Sequence, residues 1–176
     1  MQTKDRIVET ASKLFYEQGY NSTGINQVIK EAGVAKASLY AHFSSKEELL
    51  KEYLQKTAIT TNQILQQITH DKQTPKEKVL GVFDFLTQFS NQTCFNGCHF
   101  QNVLAEVSSE NIEVKSIIRN QKNRIRQLFV EILKPLNKEE LADEFYILFE
   151  GAIISSKVHE DLWAIKTTRK IVEKLF

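Results

Sequence analysis

Lys36, Ser38, Tyr40 and His42 lie almost in a row within "GVAKASLYAHFSSKEELL" at positions 33–50. An ammonium, a hydroxyl, a phenol and an imidazole are groups that bond phosphate oxygens and base edges. A second concentration of reactive types is "TCFNGCHFQNVLAEVS" at 93–108, with Cys94, Cys98, His99, Asn102 and Glu106. Catalytic arrangements are missing: there is no HExxH, no phosphate-binding glycine loop, no dinucleotide glycine pattern and no Ser-His-Asp order with supporting turns. His42, His70, His99 and His159 have no carboxylate partner discernible from spacing, so an enzyme is not expected.

The elements that must position these residues are helices. The 176 residues contain only six glycines and two prolines, too few for a turn-rich β sandwich. Ile7, Val8, Ala11, Leu14 and Phe15 recur at helical spacing in 5–18, and Gly19 follows as a stop. "INQVIKEA" (25–32) reads as a short second helix, "GVA" as a turn and "KASLYAHF" as a third helix. Ser45 with Glu48, Thr74 with Glu77 behind Pro75, and Asn137 with Glu140 each have the capping-box spacing that opens a helix. The first of these predicts a fourth helix from Lys46 to about His70. Residues 98–108, 111–134 and 161–175 are periodic as well. The expectation is an all-α chain of about nine helices with no strand.

Two short helices joined by a glycine turn form a helix-turn-helix, here at about 25–43. Leu39 and Phe43 lie four apart and share one face, which leaves Lys36, Ala37, Ser38, Tyr40, Ala41 and His42 on the other. Ala37 and Ala41 are small enough for close approach to a major groove, and Lys36 stands at the end of the helix that meets base edges. Tyr40 and His42 offer donors to phosphate, and Lys46 supplies a cation. Charge by itself is no guide: the chain carries a net +1, and residues 1–55 hold seven Lys/Arg against seven Asp/Glu. Spacing leaves open a purely structural three-helix segment with Tyr40 and His42 merely exposed.

The segment "IVETASKLFYEQGYNSTGINQVIKEAGVAKASLYAHFSSKEELL" closely resembles the N-terminal domain of TetR-family transcriptional repressors. The resemblance rests on "A..LF...GY", Thr23 before the second helix, "AGV.K.SLY.HF" and "SKEEL", over about residues 4–52. It implies DNA contacts at Thr23, Lys36, Ser38, Tyr40, His42 and Lys46. Gly24 stands where the family often has a hydroxyl residue, Ile29 where it usually has a small one, and Ala35 and Ala37 replace the frequent Ser and Gly. The implied organisation is a DNA-binding domain at 1–52 and an effector-binding and dimerisation domain at 53–176. The implied function is a repressor that binds a palindromic operator as a homodimer and is released by a small effector.

The second domain has fewer guideposts. "FYILFEGAII" (145–154) is apolar on nearly every side of a helix and must be covered on several faces. In TetR-like proteins the last two long helices form the dimer interface, which here points to Phe145, Phe149, Ile153, Ile165 and Val172. The aromatic content favours an apolar or aromatic effector, with Phe83, Phe89, Phe149 and Trp163 candidates to line its pocket. Gly97, Cys98, Asn102 and Glu106 match a pattern found in a subgroup of the family, which adds Cys98 and Asn102 to those candidates. Cys98 can equally pack as a small hydrophobe while Glu106 pairs locally. A redox pair of Cys94 and Cys98 needs a nearby positive charge that local sequence does not show. A metal site of Cys94, Cys98 and His99 lacks a fourth ligand, so no metal and no cofactor are expected. The basic run "RNQKNRIRQ" (119–127) reads as a solvated face. Two cysteines, no signal-like start and no apolar run of membrane-spanning length point to a cytoplasmic protein without a membrane partner.

Overall fold

A computed structural model describes residues 2–91 and 95–176. Among them are nine α-helices and no strand, as the periodicity predicts. They are α1 (Thr3–Glu17), α2 (Ile25–Ala32), α3 (Lys36–His42), α4 (Lys46–His70), α5 (Pro75–Ser90), α6 (His99–Glu106), α7 (Ile112–Leu133), α8 (Leu141–His159) and α9 (Trp163–Lys174). Two compact units divide the chain: residues 1–59 with 99–118, and residues 60–98 with 119–176. The division therefore differs from a single cut after residue 52, because α6 and the start of α7 group with the N-terminal helices. No helix among the described residues is long and apolar enough to cross a membrane.

In the N-terminal unit, α1 buries Ile7, Val8, Ala11, Leu14 and Phe15, the face that sequence spacing selects. Tyr53 of α4 and Tyr20 both set their rings edge-on to Phe15, at 5.8 and 5.3 Å between centroids. Ser45 caps α4 by accepting from the Glu48 N–H (3.1 Å). This is half of the expected box, since Glu48 turns its carboxylate to Lys51.

The other unit is built around phenylalanine. The Phe129 ring lies 6.1–6.2 Å from those of Phe83, Phe145 and Phe149, within the distance at which aromatic pairs attract. Valines and isoleucines of α5, α7, α8 and α9 complete this core. Helix α5 opens with a full capping box. The Glu77 N–H donates to Thr74 Oγ1 (3.2 Å), and the Thr74 N–H donates to the Glu77 carboxylate (2.9 Å), with Pro75 in the first turn. The third expected box does not form. Pro135 carries no N–H, so α7 ends in a short 3-10 turn (Lys134–Leu136), and Asn137 closes that turn in the left-handed region at φ 52°. Helix α8 then starts behind Glu140 with no side-chain cap.

Candidate nucleic-acid interface

The turn between α2 and α3 is made by Gly33, whose φ of 61° lies in the left-handed region. Its N–H closes α2 onto the carbonyls of Ile29 and Lys30, and the Val34 N–H follows onto Ile29. This is the glycine C-terminal stop of a helix. Val28, Ala32, Leu39 and Phe43 are buried and hold α2 and α3 in place. Burying Leu39 and Phe43 turns Lys36, Ala37, Tyr40, Ala41 and His42 outward, with Ser38 half-buried. Tyr40 is 44% exposed, a large ring held partly in solvent. From Ala32 to Lys46 the chain carries no carboxylate, although residues 1–55 as a whole are charge-balanced. A polyanion approaching α3 thus meets cations and neutral donors only on that stretch.

Two expected contacts sit differently. Thr23 is fully buried. Its hydroxyl donates to the Gly19 carbonyl (2.7 Å) and accepts from Gln18 (3.1 Å). Thr23 therefore braces the link between α1 and α2 and is withdrawn from the contact surface. Lys46 is half-buried, with Nζ 4.2 Å from the centre of the Tyr20 ring. Burial pushes its pKa down, and the facing Glu106 carboxylate works in the opposite direction.

Glu106 is a residue that sequence spacing does not single out for this unit. The Asn21 N–H donates to its Oε2 (2.6 Å), and the Asn21 side-chain amide donates to its carbonyl (3.0 Å). The end of α6 thereby grips the α1–α2 link. At the other end of α6, His99 is stacked on Tyr16 at 4.0 Å between ring centres. Its Nδ1 lies 2.5 Å from the Tyr53 hydroxyl. Burial pushes the His99 pKa down to about 4, so the imidazole is neutral at physiological pH. His99 serves as an internal tie, and among the described residues no group of three or more His, Cys, Asp or Glu could hold a metal ion.

In the second unit the expected pocket residues do not come together. Phe83 and Phe149 are core, ring against ring at 6.1 Å, so neither lines open space. Phe89 is half-buried between Phe85 and Phe95. Trp163 is 50% exposed beside His159, outside the core. Asn102 belongs to the N-terminal unit, on α6. Cys98 stands beside Lys122, and Cys94 lies outside the described residues. A cleft of about 510 Å³ is lined by Ser90, Asn91, Phe95, Ser156, Asp161 and Leu162 among others. Among the described residues, the buried hydroxyls of Ser90 and Ser156 have no hydrogen-bond partner.

The five expected dimer residues also need correction. Phe145, Phe149, Ile153, Ile165 and Val172 are all buried in the unit's own core. The apolar side chains that α8 and α9 leave open are Ile147 (67% exposed), Ile154, Val158 (68%), Trp163 and Ile171. Ile147, Ile154 and Val158 recur at intervals of seven and four, one stripe along α8.

An all-helical chain whose N-terminal helix-turn-helix exposes a cationic, carboxylate-free helix has the architecture of a bacterial transcription regulator. Residues 7–53 match the family described as bacterial regulatory proteins, tetR family. The match covers the N-terminal helices, the part of the chain that carries the helix-turn-helix. It is 37% identical over 97 residues to the HTH-type transcriptional regulator YxaF of Bacillus subtilis, covering 54% of this chain. The match reaches 51% of YxaF, so the chain spans about half the length of that relative. The crystal structure of a TetR-family regulator from Streptomyces coelicolor superposes with a TM-score of 0.92 at 23% identity, covering 98% of this chain and 93% of that one. A cysteine mutant of the TetR-family regulator CifR, solved with 26-bp double-strand operator DNA, superposes at 0.84 with 18% identity, covering 97% and 95%. The named proteins are transcription regulators, not enzymes.

Proposed function

We propose that this chain is a repressor that binds a palindromic DNA operator as a homodimer and lets go when a small effector binds its second unit. The observation that carries the reading is the outward face of α3. Leu39 and Phe43 are buried, Lys36, Tyr40 and His42 stand in solvent, and no acid lies between Ala32 and Lys46. Lys36 and Ser38 read base edges. Tyr40 and His42 bond phosphates, Ala37 and Ala41 admit the helix to the groove, and Lys46 adds a phosphate cation at the start of α4. The operator complex of CifR, a protein of the same fold, supports the choice of DNA.

The open stripe of Ile147, Ile154 and Val158, with Trp163 and Ile171 of α9, is the surface for the second copy. A two-fold pair places two α3 helices on half-sites about 34–36 Å apart or a multiple of it. Effector binding in the second unit then weakens DNA binding by about 5–150-fold, the range of ordinary allosteric coupling. Selection of bound duplexes from a random pool tests the reading. Enrichment of an inverted repeat is the expected outcome, and a pool that stays random at low ionic strength overturns it.

A further inference from the structure

Two serines of the second unit bury hydroxyls that bond nothing. Ser156, near the end of α8, is 1% exposed, and Ser90 is the last residue of α5. Among the described residues neither oxygen has a hydrogen-bond partner. A serine or threonine within a helix can turn back onto the carbonyl four residues earlier. Ser12 does so onto Val8 (2.6 Å) and Thr69 onto Leu65 (2.9 Å), but Ser90 and Ser156 do not. A buried hydroxyl without a partner costs stability, so its presence calls for a reason outside the fold itself.

Both serines line the same cleft of about 510 Å³, at the ends of α5 and α8 and outside the phenylalanine core. Their oxygens are shut from solvent, and a turn about χ1 toward the cleft breaks no bond, because none is made. Phe95 and Leu162 are partly buried against the core and supply apolar walls. Asn91 and Asn96 bring side-chain amides, which both donate and accept. Glu160, at φ 50°, ends α8, and with Asp161 it sets two exposed carboxylates against the one ammonium of Lys157. Asp161 uses one acceptor site on the Trp163 N–H (2.7 Å), and a carboxylate has others. The excess of negative charge turns anions away. Hydroxyls, amides and carboxylates together suit a ligand whose groups both donate and accept, while the apolar walls suit the C–H faces of a ring.

We infer that this cleft binds a small, uncharged ring polyol, a pyranose sugar or a cyclitol, with the hydroxyls of Ser90 and Ser156 turned onto those of the ligand. As the effector site, the cleft rests on reading the chain as an effector-responsive regulator. The test is calorimetric titration of the full chain with D-glucose, D-galactose, myo-inositol and catechol. Fluorescence of Trp163, the chain's one tryptophan and the neighbour of Leu162, gives a second readout. At least one polyol should bind, and preference for a sugar or for the cyclitol identifies the source. Ser90→Ala and Ser156→Ala should each weaken that binding by about two- to tenfold, the worth of one hydrogen bond. Without ligand, Ser156→Ala should melt no lower than the parent, since it removes a buried group that bonds nothing. A lower midpoint gives the hydroxyl an internal role and overturns the inference. So does the absence of polyol binding, binding of catechol alone, or undiminished affinity in both serine variants. Polyol binding that leaves affinity for the selected duplex unchanged overturns the effector role. A chain that binds no duplex before polyol is added instead refutes the regulator reading, while calorimetry still judges the cleft.

Discussion

Replacing Gly33 by alanine isolates the one backbone requirement on which the α2–α3 geometry depends. At φ 61° an L-residue with a Cβ loses roughly 1–2 kcal/mol relative to the right-handed region. No heavy atom lies within 4 Å of that Cβ, so the loss is conformational and carries no clash. Alanine recovers about 0.4–1 kcal/mol by restricting the unfolded chain, leaving a net cost near 1 kcal/mol. Gly24 is the internal control. It too has nothing within 4 Å, but its φ of −84° and ψ of 145° are open to alanine. Gly24→Ala takes the same unfolded-state gain, but Gly24 is the N-cap of α2, where alanine is the poorer residue, so the change is expected to be close to neutral. For a chain of this size 1 kcal/mol moves the midpoint by about 2–4 °C. Thermal unfolding followed by circular dichroism should place Gly33→Ala that far below Gly24→Ala. Gly33→Asn should fall between them, since asparagine tolerates the left-handed region. Equal midpoints for the two alanine variants would refute the argument that Gly33 is there for its conformation.

Other expectations follow from the same contacts. Below the unfolded pKa of 6.5 the unfolded chain takes up a proton that buried His99, at about 4, does not. Its stability contribution is complete above that pKa and shrinks as pH falls toward 4, by about 2 kcal/mol between roughly pH 7.5 and pH 5. Urea titrations at the two pH values should show a smaller drop in His99→Gln than in the parent; an equal drop would remove His99 as the cause. Ile147→Glu combined with Ile154→Glu leaves the core untouched and should yield monomers in sedimentation equilibrium, whereas persistent dimers would move the interface elsewhere. Lys46→Ala should weaken binding to every duplex and lower the salt slope by about one. An unchanged slope would mean that Lys46 serves only Tyr20 and Glu106.

What the sequence reveals about this molecule depends on how local the cause is. Leu39 and Phe43 share a face because they are four residues apart, so the buried and open sides of α3 are legible at once. Thr23 is ambiguous: a hydroxyl before a helix looks the same whether it meets phosphate or, as here, the carbonyl of Gly19. Asn137 is a similar case, because asparagine suits both a helix N-cap and the left-handed residue that ends a 3-10 turn. Helix α8 is apolar on nearly all sides, so its pattern shows that several faces need cover without showing which face meets what. Folding sends Phe145, Phe149 and Ile153 inward and leaves Ile147, Ile154 and Val158 outside. Glu106 with Asn21, 85 residues apart, and Lys122 with Cys98, 24 apart, belong to tertiary structure alone, and no periodicity encodes them. The charge that local sequence failed to supply to Cys98 comes from another helix.

The central claim is that the solvent face of α3 meets DNA. Lys36→Ala, Tyr40→Ala and His42→Ala remove three exposed side chains together and leave Leu39 and Phe43 in place. Affinity for the selected duplex should be measured beside a scrambled one, over a range of salt. The account predicts unchanged helix content, a loss of at least about tenfold on the selected duplex, and near-equal binding to both. Parent-like affinity with parent-like preference for the selected duplex would contradict it.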